Sequence, residues 1–238
     1  MSRNLTICVE GAHNVECLLE SSNFETLRVF LEEGRHDVLH KKVLDRGIPL
    51  QVLSAEMMAG AAGYQFHRGV FAHAKRPDAA CLDPTKVSRL VVLTHLADEG
   101  NLGTIIRTAT AFGADGILLE KNKGGDPYSR KAIRASSRGI FKLPVFESSD
   151  VPATLRELKT SGFEIFGTSP HGESISVSDC AMSEKMAVVF GAEKDGVPEA
   201  ILKECTVRTS IPMERGMDSL NVAGCAAVVL YELFSKKS

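Results

Sequence analysis

Arg107 and Asn101 form the first chemically suggestive pair: an arginine pointing outward from a helix, one to two turns after a loop that ends in asparagine. A cation near the positive end of a helix dipole, beside free backbone N–H groups, attracts anions. Ser219 and Asn221 flank Leu220 at the opening of a helix rich in Ala and Val. Both residue types bond orphan N–H groups at helix starts, so taken alone they read as a helix cap. Glu193 lies in a loop bounded by Gly191 and Gly196. Alone it reads as a solvated acid or a helix-entry charge, and Arg107 alone as a surface arginine.

Three elements must hold these groups. Residues 88–93 are an apolar, β-branched run of the kind found in a strand buried on both faces, and a helix is predicted over residues 102–112. There Ile105, Ile106, Ala109 and Phe112 recur at helical spacing, with Gly103, Thr104 and Arg107 off that stripe. Gly113 to Gly116 turn the chain into a second apolar strand, 117–119, giving strand, helix, strand. Residues 185–190 form another buried strand that ends at Gly191, where a backbone can approach a ligand closely. Pro212 after Ile211 takes the chain out of a strand, and Gly216 bends the loop that leads to Ser219.

Taken together and in this order, the three segments resemble the signature motifs of the SpoU/TrmH branch of the SPOUT RNA methyltransferases. The resemblance carries over Asn101 and Arg107 from the first motif, and Gly191, Glu193 and Gly196 from the second. From the third it carries Ile211, Pro212, Ser219, Leu220 and Asn221. It implies an α/β fold with a C-terminal trefoil-knotted methyltransferase domain that binds S-adenosylmethionine and methylates a ribose 2′-hydroxyl in structured RNA. A knot is a rare exception to the unthreaded connections of most folds, and no periodicity reveals one. The implied cofactor site comprises Thr168, Gly191, Gly196, Ile211, Pro212 and Leu220, with backbone groups reading the adenine edge between apolar side chains. The implied catalytic set is Asn101, Arg107, Glu193, Ser219 and Asn221.

The sulfonium methyl is already electrophilic, so such a site must align the hydroxyl and help remove its proton. Arginine is a poor base at neutral pH. Arg107 is therefore expected to orient the ribose and its phosphate and to stabilise developing alkoxide charge. Asn101, Ser219 and Asn221 would position the hydroxyl and the arginine, and Glu193 would hold one of these groups or a residue of a partner chain.

Residues 121–139 combine Lys and Arg with Gly, Ser and Tyr, which suggests a mobile phosphate-binding rim. Arg130, Lys131, Arg134, Ser136 and Arg138 are the candidate RNA contacts there. Family members often carry Ser-x-Gly in this segment; Ser137-Arg138-Gly139 is one register here and Ser136-Ser137-Arg138 another. Relatives also commonly have Asp-Pro before the first-motif Asn, whereas this chain has Glu99-Gly100, which predicts a more flexible loop.

Residues 1–78 read as a small α/β module resembling the ribosomal-protein-like substrate-binding domain of part of the family. Strands are predicted at 5–9, 27–31, 48–53 and 70–74, and helices at 14–19 and 36–46. The turn at Glu10-Gly11-Ala12-His13-Asn14 matches the opening of that domain, residues 66–70 match it only in part, and Arg68 is a further phosphate-contact candidate. Residues 79–87 read as a linker, and 88–238 as the methyltransferase domain.

At 238 residues, 44% hydrophobic and with a net charge of −2, the chain holds two modest cores and has no global pull toward nucleic acid. RNA affinity must then come from local, salt-sensitive patches. Six scattered cysteines without Cys-x-x-Cys spacing read as reduced, mostly buried thiols of a cytoplasmic protein. His36 and His40 have metal-compatible spacing but no evident third ligand, so no metal is expected. No apolar span suits a membrane and no targeting segment is recognisable. Val222, Ala226, Val229, Leu230 and Leu233 share one stripe of the last helix, which reads either as core or as a patch exposed in a monomer. The resemblance implies a homodimer through that helix. Ribosomal RNA is favoured over tRNA as substrate, and self-protection against a ribosome-targeting antibiotic belongs to the same reading. The alternative function is a catalytically silent RNA-binding or ribosome-assembly protein of the same fold. A Rossmann-type enzyme lacks its G-x-G-x-x-G turn here.

Overall fold

In the computed structural model, the structure describes residues 5–63, 68–169, 173–181, 183–192, 194–214 and 219–235. The first part of the chain forms strands β1 (Thr6–Glu10), β2 (Thr26–Glu32), β3 (Leu50–Leu53) and β4 (Val70–Lys75). With them come helices α1 (Ala12–Glu20), α2 (Asp37–Asp45) and α3 (Ala55–Ala62). The sheet order is β1-β4-β2-β3, with β4 antiparallel to both neighbours and β3 parallel to β2. Strand side chains alternate between faces. Ile7, Val9, Val29, Leu31, Val70 and Ala72 pack on the side of α1 and α2, and Phe30 and Phe71 stack with Met58 of α3 on the other. Helix α3 was not anticipated. Its start is set by Ser54, whose Oγ accepts from Met57 N, and its end by Gly63 in the left-handed region (φ 77°).

The second sheet contains β5 (Arg89–Leu93), β6 (Gly116–Glu120), β7 (Val145–Ser148), β8 (Glu164–Thr168), β9 (Ile175–Ser176), β10 (Met186–Phe190) and β11 (Val207–Ser210), in the order β7-β6-β5-β10-β8-β11-β9. Every pairing is parallel. A parallel sheet needs both faces covered. On one face Val91, Leu93, Val188 and Phe190 meet α4 (Glu99–Ala111), α5 (Arg130–Ser136) and α8 (Val222–Leu230). On the other, Leu90, Val92, Ala187 and Val189 meet α6 (Val151–Thr160) and α7 (Glu199–Leu202). Because β5, β10, β8 and β11 are neighbours in space though far apart in sequence, the loops that follow them gather at one carboxyl edge. In open α/β sheets that edge is where ligands bind.

Three expectations change. Helix α4 begins at Glu99, before the predicted start, because Asp98 caps it: Oδ1 accepts from Asn101 N at 2.8 Å. Gly100 therefore lies in the first helical turn, where a Cβ would stand 2.9 Å from both Asp98 Oδ1 and Lys131 Cε. It is a crowded position, not a flexible loop. Gly103, read as off the buried stripe, is buried; a Cβ there would lie 2.3 Å from Ala132 O and 2.7 Å from Ala135 Cβ. Close packing of α4 on α5 thus requires a glycine. Gly103→Ala is expected to destabilise the protein by about 1–3 kcal/mol, measurable by urea unfolding; an unchanged midpoint would contradict that packing.

Residues 79–87 are tied down. Ala80 N donates to Val145 O at 2.9 Å, Lys185 Nζ donates to Pro84 O at 3.1 Å, and Val87 is buried. The two sheets also share core. The Phe24 ring meets Tyr128 and Phe141 edge-on at 6.0 and 5.2 Å, and Ser21 Oγ donates to Phe141 O. The apolar stripe of α8 is core as well: Val222, Ala226, Val229, Leu230 and Leu233 are all buried. The outer side of the same helix instead exposes Val228 (40%), with Tyr231 (55%) just beyond its end. Among the described residues, no helix is long and apolar enough to cross a membrane, and no cluster of His, Cys, Asp and Glu could hold a metal ion.

Candidate active site

A pocket of about 280 Å³ opens at the carboxyl edge of β8, β10 and β11. Of the expected cofactor residues, Thr168, Gly191, Gly196, Ile211 and Leu220 line it, whereas Pro212 does not. The proline ends the strand and leaves Ile211 and Met213 to face the cavity. Thr168 Oγ1 donates to Val189 O at 2.9 Å, tying β8 to β10 at the pocket floor. Leu220 is 46% exposed at the mouth and lines the pocket, so its apolar side chain is open to a ligand there.

Gly191 owes its identity to the protein's own backbone. A Cβ there would fall 2.0 Å from the Gly196 carbonyl and 2.2 Å from Val197 N. The loop doubles back, with Gly196 N donating to Ala192 O at 2.9 Å and Gly196 in the left-handed region (φ 64°). Sequence reasoning missed the far wall, made of Val222, Cys225 and Val229, although their i, i+3, i+7 spacing on α8 was readable. Burial pushes the Cys225 thiol up to about 11, so this wall is neutral and apolar. Cys8 and Cys205 are likewise pushed up by burial, to about 11 and about 12.

The first and third motifs meet directly. Asn221 is the N-cap of α8, its Oδ1 accepting from Ala223 N at 3.0 Å, while its Nδ2 donates to Asn101 Oδ1 at 3.3 Å. One side chain thus caps a helix and bridges to the start of α4. Ser219 lies exposed on the pocket wall. Arg107 is exposed on α4 and forms no hydrogen bond or ion pair among the described residues, so its guanidinium is available to a ligand. Glu193 lies outside the described residues, as do residues 66 and 67 of the partial N-terminal match and Gly216.

The basic candidates divide. Arg68 and Arg134 line a cleft of about 790 Å³ between the two sheets, with Gly11, His13, His36 and Ser137. Arg130 pairs with Glu10 across the two halves, and Lys131 pairs with Asp98. The Lys131 ammonium, with help from the Asn101 amide, holds the Asp98 carboxyl below its usual range. Ser136 is fully buried and its Oγ donates to Ile133 O at 2.8 Å, so it closes α5 from inside and does not face a substrate. Arg138 is exposed in the left-handed region (φ 89°). The register Ser137-Arg138-Gly139 fits the packing, because a Cβ at Gly139 would lie 2.9 Å from Thr110 Oγ1 and 3.2 Å from Arg107 Cα. The start of this segment, expected to be a mobile rim, is pinned: Gly125 N donates to Leu96 O at 2.8 Å, and Asp126 is bound by Arg76.

Among solved structures, the AdoMet-bound rRNA methyltransferase from Sinorhizobium meliloti shares the fold, with a TM-score of 0.83 and 24% identity, over 96% of this chain and 86% of that one. The uncharacterized tRNA/rRNA methyltransferase Rv0881 of Mycobacterium tuberculosis is 34% identical over 231 residues, 95% of this chain and 80% of the relative. The 23S rRNA (guanosine-2'-O-)-methyltransferase RlmB of Acinetobacter baylyi is 30% identical over 237 residues, 93% of this chain and 94% of that one. Fold, site and relatives together define an enzyme of the RNA methyltransferase class. The sequence pattern of the SpoU rRNA Methylase family matches residues 88–231, and the chain belongs to that family.

Proposed function

We propose that the protein transfers a methyl group from S-adenosylmethionine to a ribose 2′-hydroxyl of ribosomal RNA. The observation that carries this reading is the Asn221–Asn101 bridge at the edge of the 280 Å³ pocket, which joins the cofactor loops to the helix bearing Arg107. The bound cofactor would supply an electrophilic methyl group. Its adenine would be held by Ile211 and Leu220 and by the backbone of Gly191, Gly196 and Val197, with Thr168 at the floor. Arg107 orients the ribose and its phosphate and stabilises the developing alkoxide, while Asn101, Ser219 and Asn221 align the hydroxyl. The family resemblance extends the same reading to Glu193, to a trefoil knot around the cofactor loops, and to a homodimer. Exposed Val228 and Tyr231, with exposed Gly224 one turn before Val228 on α8, support a partner on the outer face of that helix.

Residues 1–78 are read as the RNA substrate-binding domain, 79–87 as the connection and 88–238 as the catalytic domain of a cytoplasmic enzyme. Arg68 and Arg134 in the cleft between the two, which also holds Glu10, Glu16 and Asp37, support RNA phosphates passing there, with Arg138 beside Gly139, which packs on the Arg107 backbone. Arg130 and Lys131 would reach phosphate only by leaving Glu10 and Asp98.

Leu220→Ala tests the pocket with little effect on the fold, because the side chain is half exposed. Calorimetry is expected to show S-adenosylmethionine binding weakened roughly tenfold, with thermal stability unchanged. Binding equal to wild type would remove Leu220 from the site.

A further inference from the structure

Arg76 lies between β4 and the stretch that reads as linker in the sequence, and it makes a part-buried, two-pronged ion pair between the two halves of the molecule. Its guanidinium lies 4.9 Å from the Tyr128 ring centroid, and both Nη atoms donate to the Asp126 carboxylate at 2.7 Å. Its backbone is fixed as well, with Arg76 N donating to Leu5 O at 2.8 Å. Only 11% of the side chain is exposed. Such a two-pronged pair sets orientation as well as distance.

Asp126 is the pivot of the segment between β6 and α5. Its Oδ1 also accepts from Tyr128 N at 2.9 Å, and its carbonyl accepts from Ser129 N at 3.1 Å. Ser129 in turn caps α5, its Oγ accepting from Ala132 N at 3.2 Å. On the other side of Asp126, Gly124 and Gly125 press against the chain that leads into α4. A Cβ on Gly124 would lie 2.8 Å from Leu96 O, and one on Gly125 2.9 Å from Ala97 O. Gly125 N donates to that same Leu96 carbonyl, and Lys131 holds Asp98, the cap bonded to Asn101 N. These backbones touch where Gly124 and Gly125 face the Leu96 and Ala97 carbonyls, so a shift of Asp126 toward them is passed to Leu96, Ala97 and the first turn of α4.

We infer that Arg76 and Asp126 are positioning residues for methyl transfer: the pair ties the end of β4 to residues 124–129, and these hold the Leu96–Asp98 approach that sets Asn101. This rests on the methyl-transfer reading. It assigns the N-terminal sheet a second task beyond binding RNA, since its docking also fixes the geometry of the catalytic helix.

Two variants test it. Arg76→Lys keeps the charge but loses the fork, and Asp126→Asn keeps the acceptor for Tyr128 N but loses the ion pair. Each is compared with wild type for S-adenosylmethionine affinity by calorimetry and for single-turnover methyl transfer at saturating, unmodified large-subunit rRNA. Amide hydrogen exchange is followed at Gly125 and Asn101. The expected result is affinity within twofold, transfer slower by on the order of tenfold to a hundredfold, and faster exchange at both amides. A merely structural staple would lower thermal stability while leaving the single-turnover rate and both amides unchanged, and that result would overturn the inference. If the wild-type protein methylates no RNA, the methyl-transfer reading itself fails. Exchange at Asn101 then decides alone: unchanged protection in both variants overturns the inference, and lost protection upholds the mechanical link.

Discussion

Arg107→Ala is expected to slow methyl transfer by roughly a hundredfold to a thousandfold, the range seen when a positioned donor to a developing oxyanion is removed. Cofactor affinity should stay within twofold, because Arg107 lies on α4 and does not line the pocket. The fold should also be unaffected, since the side chain is exposed and has no bond among the described residues to lose. Arg107→Lys keeps the charge but not the planar fork, so it should recover only part of the rate. Single-turnover kinetics at saturating RNA separates these cases. Near-normal turnover in the alanine variant would remove Arg107 from the chemistry and leave a surface arginine.

Asn221 gives the second large effect, and two variants divide its roles. Asn221→Ala removes the α8 cap at a cost of about 1 kcal/mol and also removes the donor to Asn101, so stability and rate should both fall. Asn221→Asp keeps an oxygen for Ala223 N and therefore the cap, but it sets a carboxylate against Asn101 Oδ1 where an amide now donates. Its melting temperature should stay close to wild type while transfer falls at least tenfold, through misplacement of Asn101. An aspartate variant as active as wild type would reduce Asn221 to a helix cap.

The buried strands were legible because their residues are continuous apolar runs, and the strands around the first two motifs fall within a residue or two of expectation. Positions governed by contacts between distant elements were not. Gly100 and Gly103 look like loop and surface residues until Lys131 and the Ala132 carbonyl are seen against them. Ser136 looks like a substrate contact because its neighbours are basic, yet its hydroxyl turns inward to Ile133. The α8 stripe was open to two readings from periodicity, and burial against α4 settles it as core. Within the site, the residue types marked Asn101 and Asn221, but their meeting depends on the order of strands in the sheet, which no local pattern encodes. Gly191 was flagged for the approach of a ligand, and the structure adds the reason that a Cβ would strike Gly196.

The most direct test supplies purified protein with isotopically labelled S-adenosylmethionine and unmodified large-subunit rRNA, and then maps ribose methylation nucleotide by nucleotide, with Arg107→Ala alongside. The account predicts one nucleotide gaining a 2′-O-methyl group to near completion, and little label with the variant. Wild-type protein that binds no S-adenosylmethionine and leaves the RNA unlabelled would contradict it and favour an RNA-binding protein that keeps the fold without the chemistry.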